Sequence, residues 1–228
     1  MTIDPDIQKT FFNDIKINYP DFSHTNALYL DFESTKMLNL FWPQKAGIER
    51  FEYLSAKNPP LLMNDNGLSY ALEKFGINNE SLAWIVVFSG QRNDEIAEKL
   101  NFENLFSDNF FPNAEWIDLH RFLKENADLK RYIRERQFSR RINRENVPYN
   151  LENLEESFGI RRPLELCSHN NLVDGIQGEM YILEFISKWE SGVAEDYEIN
   201  NILKYCRFDV ESLFKILRKG YKLNKALH

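Results

Sequence analysis

Asp31 and Glu33 close a short apolar run, Ala27-Leu28-Tyr29-Leu30-Asp31-Phe32-Glu33, and far along the chain Tyr205 and Asp209 stand four residues apart in a segment with helical periodicity. Strand side chains alternate, so residues two apart put the Asp31 and Glu33 carboxylates on one face. On a helix, a spacing of four sends the Tyr205 phenol and the Asp209 carboxylate out from one side, a turn apart. Between these pairs, Asp94 ends Phe88-Ser-Gly-Gln-Arg-Asn-Asp94, a strand-like run followed by a tight turn. Hydrolysing a phosphodiester at neutral pH needs an attacking hydroxide and relief of charge on the leaving oxygen, and two divalent ions about 3.5–4 Å apart supply both. Magnesium and manganese prefer carboxylate and water oxygens to the sulfur and imidazole ligands that this chain hardly offers. Asp31, Glu33, Asp94 and Asp209 are therefore candidate ligands for two Mg2+ or Mn2+ ions, with Asp31 as the bridge. Tyr205 is the candidate for orienting the attacking water; a phenol is a weak base at neutral pH, so deprotonation would fall mainly to the metal.

Each signal has a plain structural reading when taken alone. Asp-x-Glu at a strand end is often a solvated edge, Asp-Glu after a turn is an ordinary helix N-cap, and Tyr-x-x-x-Asp is a common spacing on any helix. What joins them is order: a strand, then a strand, turn and acid, then a late helix.

The elements that must carry these residues follow from periodicity. A short leading helix ends in a turn at Tyr19-Pro20-Asp21, and the first strand runs from Ala27 to Phe32. Ile48 to Leu54 alternates as a second strand, and Leu61-Leu62-Met63, after Pro59-Pro60, suggests a third at an edge. Ser69 to Phe75 has helical spacing with Gly76 as its stop, and Leu82 to Phe88 is the continuous apolar run of a buried central strand. Asp94 to Leu100 reads as a helix and Glu115 to Leu119 as a strand. Beyond it, Phe122, Leu123, Leu129, Tyr132, Ile133, Phe138 and Ile142 form one helical apolar series. Asn150 to Gly159 reads as a capped helix ending at glycine, and Met180 to Trp189 and Ile202 to Leu217 complete the set. Strands first and helices later imply an α/β layer around a mixed sheet.

Composition bounds the class. With 228 residues and 43% hydrophobic content, one domain with a sizeable core is expected. Its core spans about 27–217, behind a short N-terminal extension over 1–26. No apolar run reaches the ~18 residues of a membrane helix, and the N-terminus carries acids where a signal peptide carries bases, so a cytoplasmic protein is expected. Cys167 and Cys206 show no C-x-x-C spacing and read as reduced thiols. The net charge of −7 argues against a protein that simply coats nucleic acid. Yet between Arg121 and Arg144 nine bases face three acids, a local cationic segment on an acidic chain. Arg134, Arg140 and Arg141 are its candidate nucleic-acid contacts, and Tyr132, Phe138 and Tyr149 are interleaved where bases could stack. The bland alternative is an arginine-rich helix face bathed in solvent.

Asp31-x-Glu33, the turn leading to Asp94, and Tyr205-Cys-Arg-Phe-Asp209 resemble the exonuclease motifs of the ribonuclease H-like superfamily, in its tyrosine-containing DEDD branch. The nearest likeness is the YprB-type ribonuclease H-like group. Ile117-Asp118-Leu119 and Leu151-x-x-Leu154-x-x-x-Phe158-Gly159-Ile160-x-Arg162 resemble landmarks of that group, so the likeness covers roughly Ala27 to Leu217. Where that group has His or Tyr followed by Asn-Gly before the second-motif acid, this chain has Phe88-Ser89-Gly90. The resemblance implies a ribonuclease H-like fold with a mixed five-stranded sheet flanked by helices. It also implies a two-metal 3′–5′ exonuclease that releases nucleoside monophosphates from a single-stranded DNA or RNA end. Two alternatives stay open: an endonuclease on the same fold, structure-specific or RNA-directed, and a nucleic-acid-binding module with a degenerate site.

Overall fold

Ala27, Leu28, Tyr29 and Leu30 are all buried, as a strand covered on both faces requires. They open β1 (Ala27–Glu33), an inner strand of a four-stranded sheet. The computed structural model describes residues 4–33, 37–43, 76–88, 113–139, 150–163, 184–185, 187–189 and 191–225. The other three strands are β2 (Met37–Phe41), β3 (Trp84–Val87) and β4 (Glu115–Asp118), in the order β2-β1-β3-β4. β2 pairs antiparallel with β1, as a three-residue connection demands, while β3 and β4 run parallel to β1. The molecule is thus a mixed α/β protein. The strands expected over 48–54 and 61–63 and the helices expected over 69–75 and 94–100 fall outside the described residues.

Register sorts the side chains into two layers. Phe41, Tyr29, Val86 and Ile117 stand opposite one another across the four strands and therefore share a face. That face builds the main core with five helices: α1 (Pro5–Asn18), α2 (Leu119–Glu125), α3 (Ala127–Ser139), α4 (Leu151–Ser157) and α5 (Asp196–Lys225). Leu28, Leu30, Ile85 and Val87 alternate to the opposite face and are buried as well.

Local chemistry explains the boundaries. Asp4 caps α1 by accepting the Asp6 amide, and Pro5 fills the first turn, where an N–H is not needed. Phe11, Phe12 and Ile15 of α1 lie in the main core, so the leading segment packs with the same core as the sheet. The strand expected to continue to Leu119 stops at Asp118, whose carboxylate accepts the His120 amide and starts α2. The described part of the apolar series that starts at Phe122 is carried by two helices. Asn126 breaks it: its amide bonds back to the Phe122 carbonyl, its side chain accepts from Leu129 and so starts α3, and it donates to Asp14 of α1. α4 ends as the glycine implies, with Gly159 at φ +66° and the Ile160 amide returning to the Glu155 carbonyl. α5 spans 30 residues, longer than the expected Ile202–Leu217 at both ends. Among the described residues no helix is long and apolar enough to cross a membrane.

Candidate functional site

Two helices carry a carboxylate on the stripe that faces the interior. On α4, Leu151, Leu154, Glu155 and Phe158 follow the i, i+3, i+4, i+7 pattern of a buried face, and Glu155 sits within it, 1% exposed. On α5, Cys206, Asp209, Val210 and Leu213 do the same, and Asp209 is 5% exposed. A buried ionised acid needs a partner, since removing it from water costs several kcal/mol, on the order of magnitude seen for single ions in proteins. Arg162 is the shared partner.

The chain delivers Arg162 by a sharp reversal. Gly159, in the left-handed region, turns the backbone at the end of α4, so that Arg162 folds back over the helix it has just left. Its guanidinium grips Glu155 with both prongs, Nε to Oε2 at 3.0 Å and Nη2 to Oε1 at 2.7 Å. The same Nη2 forms a close ion pair with Asp209 Oδ1. Glu152 Oε1 stands 4.0 Å from Nε, on a side chain less buried than Glu155. The guanidinium carbon lies 5.2 Å from the centroid of the Tyr205 ring and 5.1 Å from that of Phe208. A planar, delocalised cation suits both the fork and the rings; a lysine ammonium would suit neither.

The electrostatics follow from counting charges. Two buried acids face one arginine, so the trio carries one excess negative charge, and Glu152 adds another. Burial pushes the Glu155 carboxyl up to about 7, with Arg162 pulling down and Asp209 pushing further up. Burial also raises Asp209, opposed by Arg162 and by the hydrogen bond from Tyr205, and assisted by Glu152. Burial works against the Arg162 charge, but Asp209 and Glu155 outweigh it, and the guanidinium stays charged.

Asp31 lies on β1. It follows Tyr29 by two residues, and Tyr29 touches Phe214 of α5 at 5.6 Å between ring centroids, so Asp31 is on the sheet face that α5 covers. It is partly buried and stands opposite Asn39 of β2. Glu33 is the last residue of β1, opposite Met37. Since β3 runs parallel to β1, the chain leaves Val87 at the same sheet end where Asp31 and Glu33 lie. That carboxyl end is where open α/β sheets build their sites. Asp94, Arg140 and Arg141 lie outside the described residues. Tyr205 and Asp209 are brought together around Arg162, and Arg134 is exposed on α3. Among the described residues no three carboxylate, imidazole or thiol groups gather as a set that could hold a metal ion.

Glu152, Glu155 and Arg162 were not among the residues singled out for chemistry from the sequence. The signal for Glu155 was present: an acid interrupting an apolar helical stripe. Nothing in the spacing said that its partner would also hold Asp209. Comparison with protein-family models, with curated proteins and with solved structures finds no match.

Proposed function

We propose that this chain is a ribonuclease H-like, metal-dependent 3′–5′ exonuclease that hydrolyses phosphodiester bonds from a single-stranded nucleic-acid end. The observation that carries the reading is that Asp209, buried one turn after Tyr205, lies on the helix packed over the sheet face to which Asp31 belongs. The β2-β1-β3-β4 order, a hairpin followed by two parallel strands, is compatible with a five-stranded sheet of that fold.

The donor chemistry suits Mg2+ or Mn2+, because Asp31, Glu33, Asp94 and Asp209 offer only hard oxygens. Two such ions, when bound, would supply a hydroxide nucleophile and charge relief on the leaving oxygen. In this reading Tyr205 orients the attacking water through its hydroxyl. Arg134, Arg140 and Arg141 draw the phosphate backbone toward the site, an attraction that weakens with salt. The direct test is incubation of end-labelled single- and double-stranded DNA and RNA with manganese, with chelator as control. Monophosphate products from the 3′ end are expected, and Asp31→Asn and Asp209→Asn each abolish them while leaving folding intact. Full activity in both variants rejects the proposal.

One observation favours a second reading, a binding module with a degenerate site. Asp209 is already charge-compensated by Arg162, so an ion approaching that carboxylate meets a fixed positive charge. Calorimetric titration with manganese separates the two: a degenerate site gives no heat that depends on Asp31 or Asp209.

A further inference from the structure

Acidic as the chain is, the solvent side of α5 is not. From Lys204 to Lys225 the sequence holds seven bases against two acids. One of the two, Asp209, is buried and held by Arg162. The other, Glu211, is shared by two cations, Arg207 Nε at 2.6 Å and Lys215 Nζ at 2.8 Å. Lys204, Arg207, Glu211, Lys215 and Arg218 follow one another at intervals of three and four, so they form a single ridge, roughly 21 Å long at the helical rise of ~1.5 Å per residue. Lys204, Arg207 and Arg218 are exposed, and Lys215 is half-buried. The ridge runs opposite Cys206, Leu213 and Leu217, which face the interior. In the same line, seven residues before Lys204, stands Tyr197, 60% exposed.

Neither the helix dipole nor pairing within α5 accounts for this surplus. A macrodipole favours bases in the last turn, and the ridge ends seven residues before the last residue of α5, Lys225. Ion pairs along a helix need one acid per base, and Glu211 serves two. Lys215 and Lys219 stand four apart, a spacing at which like charges repel. A row of cations kept against that repulsion, with an exposed aromatic ring in line, has the chemistry of a surface that follows a phosphate backbone and stacks a base.

We propose that the exposed ridge of α5 from Tyr197 to Arg218 binds single-stranded nucleic acid, its cations along the phosphates and Tyr197 stacked on a base. Tyr205 and Asp209 belong to the same helix, so a strand on this ridge lies on the element that carries the candidate site. That the bound strand is also the substrate rests on the nuclease reading above; the binding itself does not.

The test is fluorescence anisotropy of the full chain with a labelled single-stranded oligonucleotide of about 12 nucleotides, in chelator so that nothing is cleaved, over a series of salt concentrations. Lys204→Gln/Lys215→Gln/Arg218→Gln is expected to bind at least about tenfold more weakly and to flatten the slope of log K against log salt by about 2, because each phosphate contact on a single strand contributes about 0.7. Lys204→Arg/Lys215→Arg/Arg218→Lys keeps the charges and should keep both values. Tyr197→Ala is expected to lose about fivefold or more with the slope unchanged, as removal of a stacking ring requires; native affinity in that variant would overturn the single-strand assignment. Circular dichroism and melting verify the fold of each variant. If Lys124→Gln/Lys130→Gln/Arg134→Gln on α3 loses binding and the α5 variant does not, the ridge is not the binding surface. Ridge-dependent binding of phosphatidylserine vesicles without oligonucleotide binding would assign the ridge to a lipid surface and likewise overturn the proposal. Cleavage is measured separately with manganese. An α5 variant that binds and cleaves as the native chain does overturns the ridge and leaves the nuclease reading standing. A native chain that binds through the ridge but never cleaves upholds the ridge and removes that reading.

Discussion

The two halves of α5 meet the rest of the molecule in opposite ways. From Leu213 to Gly220 the contact is apolar and close: Phe214 packs on Tyr29 and Phe41, and Gly220 lets the Phe12 ring of α1 lie against the helix backbone. From Tyr205 to Asp209 the contact is charged, made through Arg162 to Glu155 of α4. The apolar half needs only complementary volume, and many side chains can supply that. The charged half needs Arg162 in particular, because without it two buried acids lose the one cation they share. Stability is thus distributed at one end of the helix and concentrated at the other.

The largest effect should come from breaking the concentrated end. Arg162→Met is expected to lower stability by about 3–5 kcal/mol, the cost of leaving buried acids without their cation. Urea unfolding measures it, and a loss within ~0.5 kcal/mol would show that the pocket admits water freely. At the apolar end, Gly220→Ala forces a Cβ into the Phe12 ring. That ring cannot retreat, being packed against Phe11 at 5.4 Å and Phe158 at 5.1 Å. Overpacking of this kind costs about 1–3 kcal/mol, and each kcal/mol lowers the melting temperature by about 2–4 °C for a chain of this size. Wild-type stability in Gly220→Ala would mean that α1 is not seated on α5.

A third measurement reads the charge imbalance through pH. The Glu155 carboxyl, ordinarily near 4.5, is held up to about 7, first by burial. The fold therefore prefers its neutral form, and the stability this group contributes is complete below about 4.5 and lost as pH rises through 7. Glu155→Gln has no such proton to lose, so its melting temperature should climb relative to wild type by several degrees between pH 5 and pH 8. A constant gap across that window would contradict the excess negative charge. The comparison must be a difference, because His24 runs the other way. Burial, then Arg218, press its imidazole from 6.5 down to about 4, so its contribution is lost as pH falls across that range. The smallest effect belongs to the surface: the Arg121–Glu125 pair on α2, 59% and 58% exposed, should change stability by about 0.3–0.5 kcal/mol when Arg121 becomes Ala.

Much of the sheet was legible because its signals are local. The apolar runs at Ala27 and Leu82 announce buried strands, and both form, the second trimmed to Trp84–Val87. Asn150 and Gly159 bracket α4 as their side-chain and backbone chemistry implies. The break at Asn126 was not legible from apolar spacing, since the residues on both sides keep the helical period and only the capping side chain separates them. Tyr205 and Asp209 share a helix face as four-residue spacing dictates.

Repeat distances along a single element account for the alternation of β1 and for the buried stripes of α4 and α5, each of which carries an acid. That one arginine answers both acids depends instead on how those elements pack. Arg162 lies seven residues from Glu155 and forty-seven from Asp209, and the packing of α5 against α4 is what brings all three within reach of a single guanidinium. Desolvation then makes that meeting matter, since in water the same three charges would scarcely interact.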